Sequence, residues 1–151
     1  MTINEYLSQL PKLKRQAERS YRAFKEAEAA ATDPGCTLNF SGAETRSRSG
    51  CNTTELQFVR AADALQEYQD ARRRYIAFRY QLEKDLDGLL YWQGCLLFRV
   101  YVFNVLTGAA DSLDGAGDIL RTRNRREIVA KLREAQAALA EVLRARGKEI
   151  E

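Results

Sequence analysis

Apolar residues recur every three or four positions along the N-terminal part of the chain. This alternation is the 3.5-residue repeat of a coiled coil, in which helices pack along one apolar stripe. Thr2 followed by Glu5 matches a capping box and predicts a helix start, and Pro11 predicts a second start after a short turn, since proline is disfavoured inside helices. The stripe consists of Ile3, Leu7, Leu10, Ala17, Tyr21, Phe24 and Ala31.

A second stripe of similar spacing predicts another long helix, from about Glu55 to Leu90. Two long helices with matching stripes predict an antiparallel hairpin, because each stripe removes the other from water. The connection, residues 32–54, is rich in Ser, Thr, Gly and Asn and predicts a flexible loop. The charged residues of this helix, Asp85 among them, are predicted to face solvent. The stripe consists of Phe58, Ala62, Leu65, Tyr68, Ala71, Tyr75, Phe78, Leu82, Leu86 and Leu89.

Residues 88–110 are almost entirely apolar and carry a single charge, Arg99. The length would span a bilayer, but a charge at its centre costs about 2.5–3.5 kcal/mol on insertion scales. The segment therefore predicts a buried helix and no membrane partner, with Tyr91, Trp92 and Tyr101 in the core and a buried thiol at Cys95. Residues 107–118, with three glycines, predict a short weak helix or a turn.

These elements together predict an all-α protein. The chain contains only two prolines, which favours long helices. Residues 1–90 form the predicted antiparallel helical hairpin, and residues 91–151 form a small C-terminal helical domain.

Positive charge is concentrated at the start of the last predicted helix. Asn124 is the predicted N-cap of this helix, and Glu127, three residues later, is the predicted second residue of a capping box. Residues 119–151 contain nine Lys and Arg against five Asp and Glu. A basic helix start suits contact with phosphates and with guanine edges, which predicts double-stranded DNA as a partner. The alternative is that these arginines only keep one helix face soluble. The candidate DNA-binding residues are Arg121, Arg123, Arg125, Arg126, Val129 and Arg133.

The remaining composition argues against an enzyme or a metal site. Histidine is absent, which excludes His-based triads and His-containing zinc sites. The three cysteines are widely spaced, so no cofactor or metal is expected. Cys36 and Cys51 could pair across the loop, but reduced thiols in a cytoplasmic protein are the expectation. No phosphate-binding glycine motif is present.

Several segments resemble a family of small phage and prophage proteins of Gram-positive bacteria. The start INEYLSQLPKL at residues 3–13 is similar to the family's EYLxQ start, and SGAETRSRSG at 41–50 is similar to its Ser/Gly-rich break. LLFRVY at 96–101 is similar to its LxxRY helix. The end, NRREIVAKLREAQAAL at 124–139, resembles the recognition helix of a domain similar to region 4 of sigma-70 factors.

The resemblance implies a helical hairpin and a C-terminal helix-turn-helix. It places Arg125, Arg126, Val129 and Arg133 toward a DNA groove, and Ile128 and Leu132 in the helix core. The family's first helix, TWEEIAxxLG, is replaced by GAADSLDGAG after Thr107, which predicts either a turn expanded by glycines or a degenerate helix-turn-helix.

Two functions follow as hypotheses. The first is a phage-type transcriptional regulator in the host cytoplasm that binds DNA, with RNA polymerase or a homodimer through the hairpin as further partners. The second is a coiled-coil interaction or structural phage protein that does not bind nucleic acid.

Overall fold

The computed structural model describes residues 1–32, 44–109 and 112–151, with the side chains of residues 44–54 excepted. Within these ranges the chain is helical and has no β-strand, which confirms the predicted all-α class. None of the described helices is long and apolar enough to cross a bilayer. The elements are α1 (Ile3–Leu7), α2 (Gln9–Thr32), α3 (Glu44–Leu86), α4 (Tyr91–Leu97), a π-helical turn (Phe98–Phe103), α5 (Asn104–Leu106), α6 (Ala116–Leu120) and α7 (Arg125–Ala145).

The predicted start at Thr2 is observed, and α2 begins at Gln9, two residues before the start predicted at Pro11. Thr2 Oγ1 accepts a hydrogen bond from the Glu5 amide at 3.2 Å, and a Glu5 carboxylate oxygen accepts one from the Thr2 amide at 2.7 Å, which confirms the capping box. Pro11 lies in the first turn of α2. A proline is tolerated there, because the first amides of a helix have no partner within the helix.

The third helix is longer at its start than the sequence predicts. Its backbone is helical from Glu44 rather than from Glu55, so residues 44–54 are not the predicted loop. Extending an existing helix gains a hydrogen bond for each residue fixed, and Ser and Gly reduce that gain without abolishing it. Residues 33–43 lie outside the described residues, as does the predicted alternative of a Cys36–Cys51 pair.

The chain divides into two compact units. One contains Met1–Leu13 with Tyr75–Glu151, and the other contains Lys14–Arg74. This division differs from predicted domains 1–90 and 91–151, because both ends of the predicted hairpin contribute apolar side chains to the core that the C-terminal helices form.

The core of the first unit is built mainly from leucines that are completely buried. They come from the first four helices and from α7, so residues far apart in sequence share one cluster. Burying each such side chain contributes about 1.5–3 kcal/mol. The fully buried leucines are Leu7, Leu10, Leu82, Leu96, Leu97, Leu139 and Leu143.

Within the second unit, α2 and α3 pack through aromatic rings. The ring centroid of Tyr68 is 5.2 Å from that of Tyr21 and 6.4 Å from that of Phe24. With Tyr21 beside Tyr68, a parallel arrangement would separate residues 32 and 44 by roughly 52 Å along the axis. The chain between them can span only about 43 Å. The two segments are therefore antiparallel, as the hairpin prediction requires.

The predicted stripe of α3 is buried only along part of its length. Ala71, Leu82 and Leu86 are buried, whereas Phe58 is 54% exposed. The more surprising residue is Asp85, predicted on a solvated face, which is 0% exposed. It lies three residues after Leu82, so both project from the same side of the helix.

Hydrogen bonds compensate the buried Asp85 carboxylate. Its oxygens accept from the Tyr6 hydroxyl at 2.6 Å, from Gln81 Nε2 at 3.0 Å and from Lys148 Nζ at 3.0 Å. The Arg146 guanidinium donates as well. Burial by itself raises the pKa of Asp85, but the donated hydrogen bonds outweigh it and hold this pKa below its usual value. Burial, and then the Asp85 carboxylate, raise the pKa of Tyr6.

Candidate nucleic-acid interface

The candidate interface lies in the first unit, where α6 leads into α7. A buried asparagine fixes the chain before α6. Asn104 is 2% exposed, and its Nδ2 donates to the carbonyls of Ser112 and Asp114, both at 3.1 Å. These two bonds use both amide protons of the side chain and set the direction in which the chain enters α6.

Glycine is required at the position before α6. Gly115 has a left-handed backbone, with φ +80°, and a Cβ placed on it would lie 2.0 Å from Arg99 Nε. A side chain there would be strained and would also displace the Arg99 guanidinium, which lies over the Phe103 ring at 4.0 Å. Gly115 therefore allows α6 to begin and to pack against Arg99.

A four-residue turn, residues 121–124, joins α6 to α7. Its first residue, Arg121, is the only described non-glycine residue with a positive φ, 53°. The Thr122 amide donates to the Gly117 carbonyl at 3.1 Å, which closes the end of α6. A Cβ on Gly117 would lie 2.7 Å from the Thr122 carbonyl oxygen, so only glycine allows this close approach.

Side-chain hydrogen bonds hold the turn and the start of α7. Asn124 caps α7 as predicted, and its side chain accepts from the Arg126 amide at 3.1 Å. The predicted reciprocal bond from Glu127 is not formed. The Thr122 hydroxyl accepts from the Asn124 amide at 3.2 Å and donates to Glu127 at 2.7 Å, so Thr122 takes the place of Glu127 as the acceptor for the Asn124 amide.

The predicted arginines lie on this turn and on the beginning of α7. Arg121 and Arg123 are exposed and line a shallow cavity of about 490 Å³ that Gly117, Asp118, Thr122 and Ile128 also line. Arg125 and Arg126 are exposed in the first turn of α7. The structure therefore places four of the predicted residues, all exposed, within six consecutive positions around the α6–α7 turn.

The other two predicted residues are placed differently. Arg133 is exposed and lies seven residues after Arg126, about 10 Å further along α7 on the same face. Val129 is half-buried and so presents little surface to a partner. Ile128 and Leu132 are buried, as expected for residues of the helix core.

The surface is positive but also contains acidic side chains. Among the described residues, no ion pair involves Arg121, Arg123, Arg125, Arg126 or Arg133, so these guanidinium groups remain available to a ligand. Asp118 lines the cavity, and Glu127 is bound by Thr122.

Thr122 and Asp118 also shape this surface and were not among the residues predicted from the sequence. Thr122 could have been found, because threonine two residues before a helix cap is a residue type that bonds to nearby amides. Asp118 offered no such pattern. Within the described part of the chain, no group of three or more potential metal ligands is present.

No protein-family model matches the chain, and neither curated proteins nor solved structures provide a significant match.

Proposed function

We propose that the protein binds double-stranded DNA through the α6–α7 turn and the first turns of α7. The observation that carries this proposal is the group of four exposed arginines, Arg121, Arg123, Arg125 and Arg126, without an ion pair among the described residues. They surround the start of a 21-residue helix. Helix starts carry free amide donors and a partial positive charge, which adds to the attraction for phosphate.

The local geometry supports contact with a DNA groove. Helix-turn-helix proteins join two helices by a three- to four-residue turn and place the start of the second helix in the major groove. In this chain the turn has four residues and α7 is the second helix. We assign base-edge contact to Arg125 and Arg126, and contact with the phosphates to Arg121, Arg123 and Arg133.

A role in transcription is the further part of this proposal. It rests on the resemblance of residues 124–139 to the recognition helix of a domain similar to sigma-70 region 4. The proposed function is that of a phage-type transcriptional regulator, which would bind RNA polymerase as a second partner.

The test is a titration of labelled duplex DNA, followed by fluorescence anisotropy at several salt concentrations. The double variant Arg125→Ala/Arg126→Ala should bind more weakly, and the slope of log affinity against log salt should fall by about 1–2. Arg72→Ala/Arg74→Ala is the matched control, because it removes the same charge from two exposed positions of α3.

Absence of salt-dependent binding by the unmodified protein would contradict the proposal. Equal weakening in both double variants would also contradict it, because the attraction would then reflect total charge rather than this surface.

A second candidate function is protein interaction through α3. It is favoured by three apolar side chains near one another in sequence, Leu56, Phe58 and Val59, which are 49%, 54% and 55% exposed. Clustered exposed apolar residues mark interaction surfaces more often than isolated ones do. Loss of self-association or of partner binding in Phe58→Ser, with DNA binding unchanged, would support this candidate.

A further inference from the structure

The corner between α3 and α4 presents large apolar side chains to solvent. Tyr91, predicted in the core, is instead 88% exposed, and Leu90 beside it is 64% exposed. Leu90 caps α4 and Tyr91 is its first residue, so both project where the chain reverses between two helices. Phe98, two turns further along, is 37% exposed. Exposed apolar side chains that lie next to one another mark interaction surfaces more often than single ones do.

A cleft of about 650 Å³ opens beside this corner, in the same unit of the structure. It is large enough to accept an aromatic side chain, and its walls are mainly apolar. Cys95, predicted to be buried, is half-buried here. Tyr91 itself lines one side of the cleft. The other apolar lining residues are Leu86, Leu89, Leu90, Gly94, Cys95, Phe98 and Ile119.

Charges of both signs lie at the edge of the cleft. Asp87 follows the end of α3, and Arg99 comes from the π-helical turn, and both line the cleft. A second acid, Glu83, also lines the cleft and pairs with Arg79. Among the described residues neither Asp87 nor Arg99 forms an ion pair, and the Arg99 guanidinium lies over the Phe103 ring. The patch formed by this corner and the cleft therefore has two complementary pairs of features. One pair is the protruding Tyr91 and the cleft, and the other is the acidic Asp87 and the basic Arg99.

This combination fits a two-fold symmetric interface. In such an interface the same patch contributes both sides, so it must be complementary to itself. We propose that the cleft receives Tyr91 of a second copy of this chain, while Asp87 of each copy faces Arg99 of the other. The proposal does not depend on DNA binding, and it locates the dimer at the α3–α4 corner rather than along the hairpin.

Tyrosine suits this role, because aromatic residues supply large contact area at low entropic cost and dominate many interfaces. Two-fold symmetry makes each contact occur twice. Truncating an anchoring aromatic residue typically weakens binding by about tenfold or more. Tyr91→Ser should therefore raise the dimer dissociation constant by about a hundredfold.

The experiment is sedimentation velocity over a wide range of protein concentrations, with the unmodified chain, Tyr91→Ser and Tyr80→Ser. Tyr80 is a matched control, since it is a 60% exposed tyrosine of α3 outside the cleft. We expect a monomer–dimer equilibrium that Tyr91→Ser shifts strongly to monomer and Tyr80→Ser leaves unchanged. Circular dichroism should show the same helix content in all three, because both side chains are largely exposed.

A charge exchange tests the pairing. Asp87→Arg and Arg99→Glu should each weaken the dimer, and the chain carrying both substitutions should recover it, because each copy again offers an opposite charge. If the double variant stays as weak as the single variants, the Asp87–Arg99 pairing is wrong.

Three results would overturn the inference. The first is an unmodified chain that stays monomeric at every concentration, which would leave the cleft for a different protein. The second is a dimer that survives Tyr91→Ser. The third is a loss of the dimer in Tyr80→Ser as large as in Tyr91→Ser, because the effect would then not be specific to the cleft.

Discussion

The hydroxyl of Tyr6 donates a 2.6 Å hydrogen bond to the carboxylate of Asp85, 79 residues later in the chain. Tyr6 lies in α1, and Asp85 lies in the last turn of α3. Arg146 and Lys148, which follow α7, bind the same carboxylate. Lys148 Nζ also donates to the Tyr6 hydroxyl at 3.1 Å. One buried acid thus ties together the beginning, the middle and the end of the sequence.

Replacement of this acid should make the protein less stable. Asp85→Asn removes the negative charge that Tyr6, Arg146 and Lys148 bind, and we expect a loss of about 2 kcal/mol in the free energy of unfolding. The loss is smaller than for a fully buried ion pair, because the Arg146 and Lys148 side chains are 42% and 34% exposed and can return to water. Urea denaturation at neutral pH measures it. The control Asp63→Asn changes an exposed acid of the same helix and should have little effect.

The same pair of proteins tests the pH dependence. The pKa of Asp85 is lowered in the folded state, so its stabilising contribution is present above the usual value of 3.8. It is lost as the pH falls through the lower folded value, since the unfolded chain then binds a proton more readily. The stability difference between the unmodified chain and Asp85→Asn should therefore shrink in acid. A difference that stays constant down to about pH 2 would contradict this assignment.

Arg121 is expected to lower the stability of the fold and to strengthen DNA binding. Its backbone is left-handed, with φ 53°, a conformation that costs a residue with a side chain roughly 1 kcal/mol. Arg121→Gly should relieve this cost and raise the free energy of unfolding by about 1 kcal/mol. It should also weaken DNA binding, because one proposed phosphate contact is removed. Thermal denaturation and the anisotropy titration measure the two effects on the same preparation.

Arg121→Ala separates the two effects, because it removes the guanidinium and keeps the backbone cost. It should bind DNA as weakly as Arg121→Gly without the gain in stability. If Arg121→Gly binds DNA as well as the unmodified protein does, Arg121 is not part of the interface.

Gly115→Ala should destabilise the protein more than Gly108→Ala. Both glycines have a left-handed backbone, with φ +80° and +85°, so each substitution brings a similar backbone strain. A Cβ at position 108 meets nothing within 4 Å, whereas one at position 115 lies 2.0 Å from Arg99 Nε. We expect about 1 kcal/mol for Gly108→Ala and about 2 kcal/mol for Gly115→Ala, which also displaces Arg99 from Phe103.

The difference between the two glycine variants isolates the contact with Arg99 and is measured by chemical denaturation. Equal destabilisation would mean that the Arg99 side chain moves aside without cost.

The helices and their caps were accessible from the sequence because they depend on residues close together in the chain. The spacing of apolar residues predicted α2 and α3, and Thr2, Glu5 and Asn124 marked helix starts that the structure confirms. The start of α3 and the second half of the capping box at Glu127 were predicted wrongly. The start of α3 lies earlier because extending an existing helix is favourable. Glu127 does not bond to the Asn124 amide, because it accepts a hydrogen bond from the Thr122 hydroxyl instead.

Of the candidate interface, the sequence supplied the arginines but not their arrangement. Arg121, Arg123, Arg125 and Arg126 form one surface because Gly117 and Thr122 set a four-residue turn that composition alone does not specify. Val129 was predicted to face the groove, but the packing of α7 leaves it half-buried.

The sequence by itself determined that this protein is helical, where most helices run and where positive charge concentrates. These properties follow from periodicity and local hydrogen bonding, which act over a few residues. Only the tertiary structure decided that Asp85 is buried and that Tyr91 is exposed beside a cleft. Burial depends on which helix faces pack together, and those contacts join residues that are far apart in the sequence. The sequence near Asp85 or Tyr91 therefore does not determine whether either side chain is buried.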